Sequence, residues 1–142
     1  MYVGVHVRAG SAAGCSLGGK QMNFLEYQAS ALRTARSMGS TVNDLVHAQI
    51  GIATEAGEFA TEVKRCAIYG AVLDQAKIDH MHEELGDILW YIAVACDALG
   101  TTMKSLAEAN IAKLERRYPS GVFTPELAEA RLDKGGLTAR ES

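Results

Sequence analysis

The sequence predicts an all-α protein built as a four-helix bundle. Apolar residues recur at intervals of three and four along most of residues 23–118, which is the spacing of helices that bury one face. The connections between these periodic stretches are short, so we expect consecutive helices to pack side by side. The alternation of Val3, Val5 and Val7 suits a strand, but no later stretch offers a clear partner strand.

The first two predicted helices are separated by a glycine. Helical spacing covers residues 23–37 and ends around Gly39, after which Thr41 or Asn43 can cap a second helix that runs to about Tyr69. We expect the apolar face of this second helix to be buried. That face consists of Val42, Leu45, Val46, Ile52, Phe59, Ala60, Val63 and Ala67.

The next two predicted helices have equally clear ends. A third helix runs from about Asp74 to Leu99 and ends at Gly100, and Thr101 or Thr102 can cap a fourth that ends before Pro119. The third helix is expected to bury Ile78, Leu85, Ile88, Leu89, Ile92, Ala95 and Leu99. The fourth has its apolar spacing at Met103, Leu106, Ala107, Ile111 and Leu114.

These helices define one predicted domain over residues 22–123. Residues 1–21 are expected to be a flexible extension, and Met22 is a plausible natural start, which would assign them to an upstream sequence. Residues 124–142 are expected to hold a short helix over 125–131 and a disordered tail.

One segment of the extension resembles a phosphate-binding P-loop. Residues 14–21 nearly match its glycine-rich pattern, but Gln21 stands where a hydroxyl should hold Mg²⁺. A P-loop also grows from a β-sheet, which the rest of the sequence does not predict. We therefore interpret the segment as part of the extension.

The composition of the chain disfavours several classes of binding partner. The chain has 142 residues, 48% of them hydrophobic, and a net charge of −3, which disfavours binding to nucleic acid or to anionic lipid. No apolar run is long enough to span a membrane. The cysteines, Cys15, Cys66 and Cys96, are scattered and odd in number, which is typical of reduced thiols in a cytoplasmic protein.

Two acidic pairs predict a metal site. Glu55 and Glu58 lie three residues apart on the second predicted helix, and Glu84 and Asp87 have the same spacing on the third. This spacing puts both members of a pair on one helix face, so two packed helices would bring four carboxylates together. Such a group needs a cation, and all-oxygen ligands suit Mg²⁺ or Mn²⁺.

Each pair belongs to a longer polar stripe. The stripes are Asp44, His47, Gly51, Glu55, Glu58 and Glu62 on the second helix, and His80, Glu84, Asp87 and Tyr91 on the third. Charged stripes usually face solvent. The apolar run 88–92 directly after Asp87 instead favours a carboxylate that needs a cation. Gly51, Gly57 and Gly86 inside helices indicate close packing or ligand access.

The fourth helix adds polar and basic groups to this picture. Asn110, Lys113 and Arg117 lie on one stripe, and Tyr118 follows at the helix end. Cations at a helix C-terminus also interact well with the helix dipole, which is a sufficient structural explanation. Beside two acidic pairs, however, they predict a polyphosphate held between Mg²⁺ and basic side chains.

In this order the motifs resemble those of the MazG-like all-α nucleoside triphosphate pyrophosphohydrolases, over roughly residues 23–123. They are Glu55-x-x-Glu58, Glu84-x-x-Asp87 with Leu89-Trp90-Tyr91 behind it, and Asn110-x-x-Lys113-Leu114-x-x-Arg117-Tyr118-Pro119. The resemblance implies hydrolysis of nucleoside triphosphates to monophosphate and pyrophosphate, in nucleotide-pool house-cleaning. It also implies Mg²⁺ bound by the four acids, and assembly as a dimer or a dimer of dimers.

The resemblance also suggests roles for other residues. Many members carry a further Glu where this chain has Thr54, so the carboxylate that activates water is left open among Glu55, Glu58 and Glu62. Aromatic side chains that could stack on the base are Trp90, Tyr91 and Phe24. Packing in the core or at a dimer interface is an equally good explanation for Trp90.

Several other functions fit parts of the sequence. A pyrimidine-specific dUTP or dCTP pyrophosphatase of the same superfamily is the first alternative, and a catalytically silent helical interaction module is the second. A di-iron carboxylate bundle would need Glu-x-x-His pairs, and the sequence contains none.

Overall fold

A computed structural model of the chain describes residues 21–134, which form five α-helices and no β-strand. The helices are α1 (Phe24–Ala31), α2 (Thr41–Ala67), α3 (Gln75–Ala98), α4 (Met103–Arg117) and α5 (Pro125–Ala130), with short 3-10 turns at Leu32–Thr34 and Leu132–Lys134. The all-α prediction is confirmed. The valine alternation, nearly all of the P-loop-like segment and residues 135–142 of the predicted disordered tail lie outside the described residues. The first residues of that tail, Leu132–Lys134, form a 3-10 turn instead.

Side-chain caps fix where the long helices begin. The four N-caps are Asn23, Ser40, Asp74 and Thr102, and the side chain of each accepts a hydrogen bond from a backbone N–H in the first turn. The sequence predicted Thr41 or Asn43 as the cap of α2, and this was wrong. Ser40 has the extended backbone that a cap requires, and its hydroxyl accepts from the Asn43 N–H at 3.2 Å.

The first helix ends sooner than predicted, at Ala31 instead of residue 37. The Ala31 carbonyl accepts hydrogen bonds from the Thr34 hydroxyl at 2.8 Å and from the Trp90 indole N–H at 3.1 Å. Both donors are side chains, and one of them belongs to α3. A tertiary contact thus coincides with the end of the helix, which a local reading of the sequence does not detect.

Helices α2 and α3 form a long antiparallel hairpin. Glu62 meets His80 near the turn of the hairpin, and Gly51 meets Tyr91 farther along, so the residue numbers run in opposite directions on the two helices. Helices α1 and α4 pack near the C-terminal half of α3. The small core there consists of Ala31, Ala93, Cys96 and Met103, with Tyr27, Leu89, Trp90 and Ile92 packed against it.

A buried glutamine ties α1 to the start of α4. The Gln28 amide donates to the Thr101 carbonyl at 3.2 Å, and its oxygen accepts from the Met103 N–H at 2.7 Å. Both polar ends of the side chain are therefore satisfied, as a buried amide requires. This link holds α1 across the end of the hairpin.

Several apolar residues expected in the core are exposed in the single chain, which corrects the predicted core. They are Val42, Val46 and Val63 on α2, Leu85 on α3, Leu99 after it, and Leu106 and Ile111 on α4. The face of α2 that packs on α3 is its polar stripe, which includes buried Gly51 and Glu62. The hydrophobic face of α2 therefore points away from α3.

Gly51 is the one predicted helix glycine at which the structure shows a close approach. A Cβ at Gly51 would lie 2.2 Å from the Tyr91 ring, whereas a Cβ at Gly57 or Gly86 would meet no atom within 4 Å. The absence of a side chain at Gly51 thus lets α3 approach α2. The other two glycines have no such packing reason within residues 21–134.

The different surroundings of Gly51 and Gly86 predict different changes in stability when each is replaced by alanine. Gly51→Ala should lower the free energy of unfolding by about 1–3 kcal/mol, because the added methyl must displace the Tyr91 ring. Gly86→Ala is the matched control, and it should be neutral or stabilising by up to about 1 kcal/mol. Urea denaturation followed by circular dichroism measures both. Equal effects at the two positions would contradict the packing described for Gly51.

Candidate functional site

The four predicted acids converge between α2 and α3. Ligand atoms of Glu55, Glu84 and Asp87 lie within 4.8 Å of one another, and so do those of Glu58, His80 and Glu84. Glu84 belongs to both groups and therefore sits at the centre of the cluster. The i, i+3 pairs meet because the antiparallel hairpin places both polar stripes on the same interface.

Glu84 is the acid that the fold buries. Its exposed fraction is 6%, and burial raises the pKa of its carboxyl group, with further increases from the neighbouring Glu55 and Glu58. The sequence pointed instead to Asp87, which is exposed. Residues 88–92 are half-buried on other sides of α3 and leave Asp87 at the surface.

The cluster has the donor set of a hard divalent cation. Its carboxylate oxygens repel one another, and at the centre Glu84 is held away from water. A buried carboxylate beside other carboxylates is stabilised by protonation, by hydrogen bonds or by a nearby positive charge, which a bound cation supplies. Oxygen ligands of this kind fit Mg²⁺ or Mn²⁺.

Glu62 lies beside the cluster and is already paired. It is 5% exposed, and its Oε1 bonds the Arg65 guanidinium and lies 3.6 Å from Nδ1 of His80. Together with Glu58 and Thr61, these three residues line a cleft of about 430 Å³. The sequence placed Glu62 on the correct stripe, and the i, i+3 spacing of Glu62 and Arg65 was a usable signal of their pairing.

Two residues near the acids had no predicted role. His80 contacts Glu84 across one helical turn, with Nε2 3.1 Å from Oε1. The pKa of Tyr27 on α1 is raised by burial and by the nearby charge of Asp87. The i, i+4 spacing of His80 and Glu84 was a usable signal, whereas Tyr27 depends on how α1 packs against the hairpin.

The three aromatic residues proposed for the base lie in different environments. Trp90 packs against the core and donates its indole N–H to the Ala31 carbonyl and the Thr34 hydroxyl, which favours a structural role. Tyr91 packs between His47 and Gly51. Phe24 is 46% exposed.

Phe24 borders two adjoining open pockets. It shares a pocket of about 390 Å³ with Tyr27 and Leu89, and a second of about 370 Å³ with Leu89 and Asn110. Tyr27, which lines the first pocket, has a pKa that is raised by burial and by the charge of Asp87. Phe24 is thus the exposed aromatic side chain of the three, and it borders open pockets.

The polar and basic group on α4 stands apart from the acids. Within residues 21–134, no hydrogen bond or ion pair joins Asn110, Lys113, Arg117 or Tyr118 to the acidic cluster. Asn110 borders the second Phe24 pocket, and Tyr118 packs on Phe123 with ring centroids 5.7 Å apart. Lys113 is half-buried.

Arg117 makes a two-pronged ion pair with Asp133. Its Nε and Nη2 lie 2.7 and 2.8 Å from the two carboxylate oxygens, and the Asp133 side chain is only 2% exposed. The pair raises the pKa of Arg117 and lowers the pKa of Asp133 to about 2. A predicted phosphate-binding residue thus already holds the segment after α5.

Comparisons with known proteins agree with this geometry. A family model described as the MazG nucleotide pyrophosphohydrolase domain matches residues 47–122. The Gene 37 protein of Mycobacterium phage L5 is 32% identical over 102 residues, which cover 68% of this chain and 90% of that protein. No solved structure gives a significant match.

The matched region contains the whole acidic cluster, both polar stripes except Asp44, and the basic group of α4. No helix in residues 21–134 is long and apolar enough to cross a membrane. Fold, site and family model therefore point to the same conclusion. The chain belongs to the MazG nucleotide pyrophosphohydrolase family.

Proposed function

We propose that this protein hydrolyses nucleoside triphosphates to nucleoside monophosphate and pyrophosphate in the presence of Mg²⁺, with Mn²⁺ as a possible substitute. The observation that carries the proposal is the convergence of carboxylates from α2 and α3 around buried Glu84 in a chain of this family. Removal of nucleotides from the cellular pool is the biological role that fits such an activity.

Each acid has a proposed part in this reaction. Glu55, Glu58, Glu84 and Asp87 would hold the cation, which supplies charge neutralisation for the triphosphate when bound. In the reaction itself, water adds to phosphorus, the anhydride bond breaks, pyrophosphate leaves, and a carboxylate takes the proton from the water. Glu84 is buried at the centre of the cluster, which suits a fixed ligand better than a group that exchanges protons with water.

The proton acceptor is best sought on α2. Glu62 is the least suited of the three predicted residues, because Arg65 and His80 already engage its carboxylate. Glu58 is exposed in the same cleft, and Glu55 is half-buried with its Oε1 3.3 Å from the Thr54 hydroxyl. Glu55 and Glu58 are therefore our proposed candidates for the base.

The residues that we propose for binding the phosphates and the base of the substrate lie on α4, directly after it, and on α1. Lys113, Arg117, Tyr118 and Asn110 are the proposed phosphate-binding residues. The exposed ring of Phe24, which shares a pocket with Tyr27, is the proposed contact for the base. If so, Phe24→Ala should raise KM for the nucleotide without weakening binding of the metal alone.

A second copy of the chain is the proposed partner of the outer face of α2. Val42, Val46 and Ile50 are spaced one turn apart on this helix and are 68%, 48% and 54% exposed. Ala53, Gly57 and Ala60 continue the same face with small side chains, which allow another helix to approach closely. A helix face this apolar is unfavourable in water, so we propose that the protein is a dimer or a dimer of dimers.

The mass of the protein in solution tests whether two copies associate through this face of α2. The wild type should have the mass of a dimer or tetramer by light scattering after size exclusion, and Val46→Glu should shift it towards the monomer. Val122→Glu is the matched control, because Val122 is 61% exposed in the loop after α4 and should leave the mass unchanged. A monomeric wild type, or equal masses for the two variants, would rule out this interface.

The proposed activity is tested by a panel of substrates. Each common NTP and dNTP should be incubated with the protein and Mg²⁺, and monophosphate and pyrophosphate should appear in equal amounts. EDTA should stop the reaction and added Mg²⁺ or Mn²⁺ should restore it. Turnover confined to dUTP or dCTP would select the pyrimidine-specific alternative, and no turnover with any metal would select the silent interaction module.

A further inference from the structure

A histidine connects the two most buried acids of the site. His80 presents Nε2 to Oε1 of Glu84 at 3.1 Å, and Nδ1 to Oε1 of Glu62 at 3.6 Å. Glu62 and Glu84 come from different helices and are 5% and 6% exposed. The imidazole therefore spans the α2–α3 interface from one buried carboxylate to the other.

Glu62, at one end of this series of contacts, is held by an ion pair. Arg65 bonds the Glu62 carboxylate from one turn along α2, so the two residues form a local ion pair. Glu62 then offers a negative group to His80, whose buried Nδ1 has no hydrogen-bond partner among the described residues and lies 3.6 Å from Oε1 of Glu62. Glu62 is thus placed to hold the imidazole by charge attraction.

The other nitrogen of His80 lies beside the Glu84 carboxylate, which also makes a side-chain hydrogen bond with Glu55. Glu84 lies beside Glu55 and Glu58, which repel it, and His80 is the neighbour that stabilises its charged form. A side-chain contact of this kind fixes the orientation of a metal-binding carboxylate and is commonly worth about 10- to 100-fold in metal affinity.

We propose that His80 is a positioning residue that holds the Glu84 carboxylate towards Glu55 and Asp87, and that Glu62, paired with Arg65, holds His80. The inference rests on the proposed metal site. It assigns Glu62 a supporting role in place of the catalytic one that the sequence suggested.

Metal affinity tests the inference without turnover. His80→Ala should weaken Mg²⁺ and Mn²⁺ binding about 10- to 100-fold by isothermal titration calorimetry, because Glu84 loses its fixed orientation. His82→Ala is the matched control, since His82 is exposed on the same helix, and it should bind as the wild type does. His80→Gln keeps an N–H donor and should recover part of the loss.

A double-mutant cycle tests the role of Glu62. Because Glu62 acts through His80 in this proposal, Glu62→Gln should weaken metal binding in the wild-type background and add little to His80→Ala. Additive losses would show that Glu62 affects metal binding independently of His80, and would overturn this part of the inference.

The remaining outcomes separate the inference from the proposed function. If the wild type binds neither Mg²⁺ nor Mn²⁺, the metal site itself fails and the inference fails with it. If the wild type binds both and His80→Ala binds equally well, the inference alone is wrong. A loss that is large for Ni²⁺ and absent for Mg²⁺ would identify His80 as a direct ligand, because imidazole favours Ni²⁺, and would also overturn the positioning role.

Discussion

Replacing Glu84 with Gln should abolish binding of Mg²⁺ and lower kcat/KM by more than about 100-fold. Glu84 belongs to both groups of converging ligands, so no other single change removes as much of the site. The expected loss exceeds the roughly 10- to 100-fold that residues outside the ligand set commonly contribute. Calorimetric titration with Mg²⁺ and the pyrophosphate assay measure the two effects separately.

The same variant should be no less stable than the wild type when metal is absent. Burial and the two neighbouring carboxylates raise the pKa of Glu84, which means that its charged form is unfavourable in the folded protein without a cation. Glutamine keeps the shape and removes that charge. In EDTA the melting temperature of Glu84→Gln should therefore equal or exceed that of the wild type, and Mg²⁺ should raise only the wild-type value.

Glu83→Gln provides the control for this experiment. Glu83 is the preceding residue on α3 and is exposed, so its replacement should change neither Mg²⁺ binding nor turnover. A Glu84→Gln protein that melts well below the wild type in EDTA would indicate a structural carboxylate. An active Glu84→Gln protein would remove the acidic cluster from the mechanism.

The meeting of the acids was predictable because helical spacing is regular. Glu55 with Glu58, and Glu84 with Asp87, lie on one helix face whatever surrounds them, so packing the two helices was enough to join the pairs. Which acid becomes buried depends on the rotation of α3 against α2. That rotation depends on contacts such as Tyr91 over Gly51, which no local pattern specifies.

Part of the predicted core was wrong for a related reason. Apolar spacing identifies the face of a helix that needs a partner, but it does not say whether the same chain provides one. In α2 the polar stripe packs on α3 and Val46 is left exposed. The pairing of Arg117 with Asp133 was equally hidden, because the two residues are 16 positions apart and belong to no common motif.

Replacing Arg117 with Ala should raise KM for the triphosphate roughly 10- to 100-fold, if Arg117 binds phosphate as proposed. Lys113→Ala should have a similar effect. Arg116→Ala should do much less, because Arg116 is exposed and off the stripe that Lys113 and Arg117 share. Steady-state kinetics on the three variants measure these effects.

The ion pair with Asp133 allows the two roles of Arg117 to be separated. Asp133→Asn breaks the pair but leaves the guanidinium, so it should lower the melting temperature and keep KM near the wild-type value. Arg117→Ala should lower the melting temperature further, because it leaves the 2% exposed Asp133 carboxylate without its partner. If Arg117 serves only to hold the segment after α5, both variants will instead show the same kinetics.

Acid titration identifies the contribution of the pair to stability. Arg117 lowers the pKa of folded Asp133 to about 2, whereas an unfolded aspartate has a pKa of about 4. The stabilisation is therefore present above about pH 4 and is lost as the pH falls towards about 2. The difference in melting temperature between the wild type and Asp133→Asn should shrink over that range. A difference that stays constant down to pH 2 would show that the ion pair is not its source.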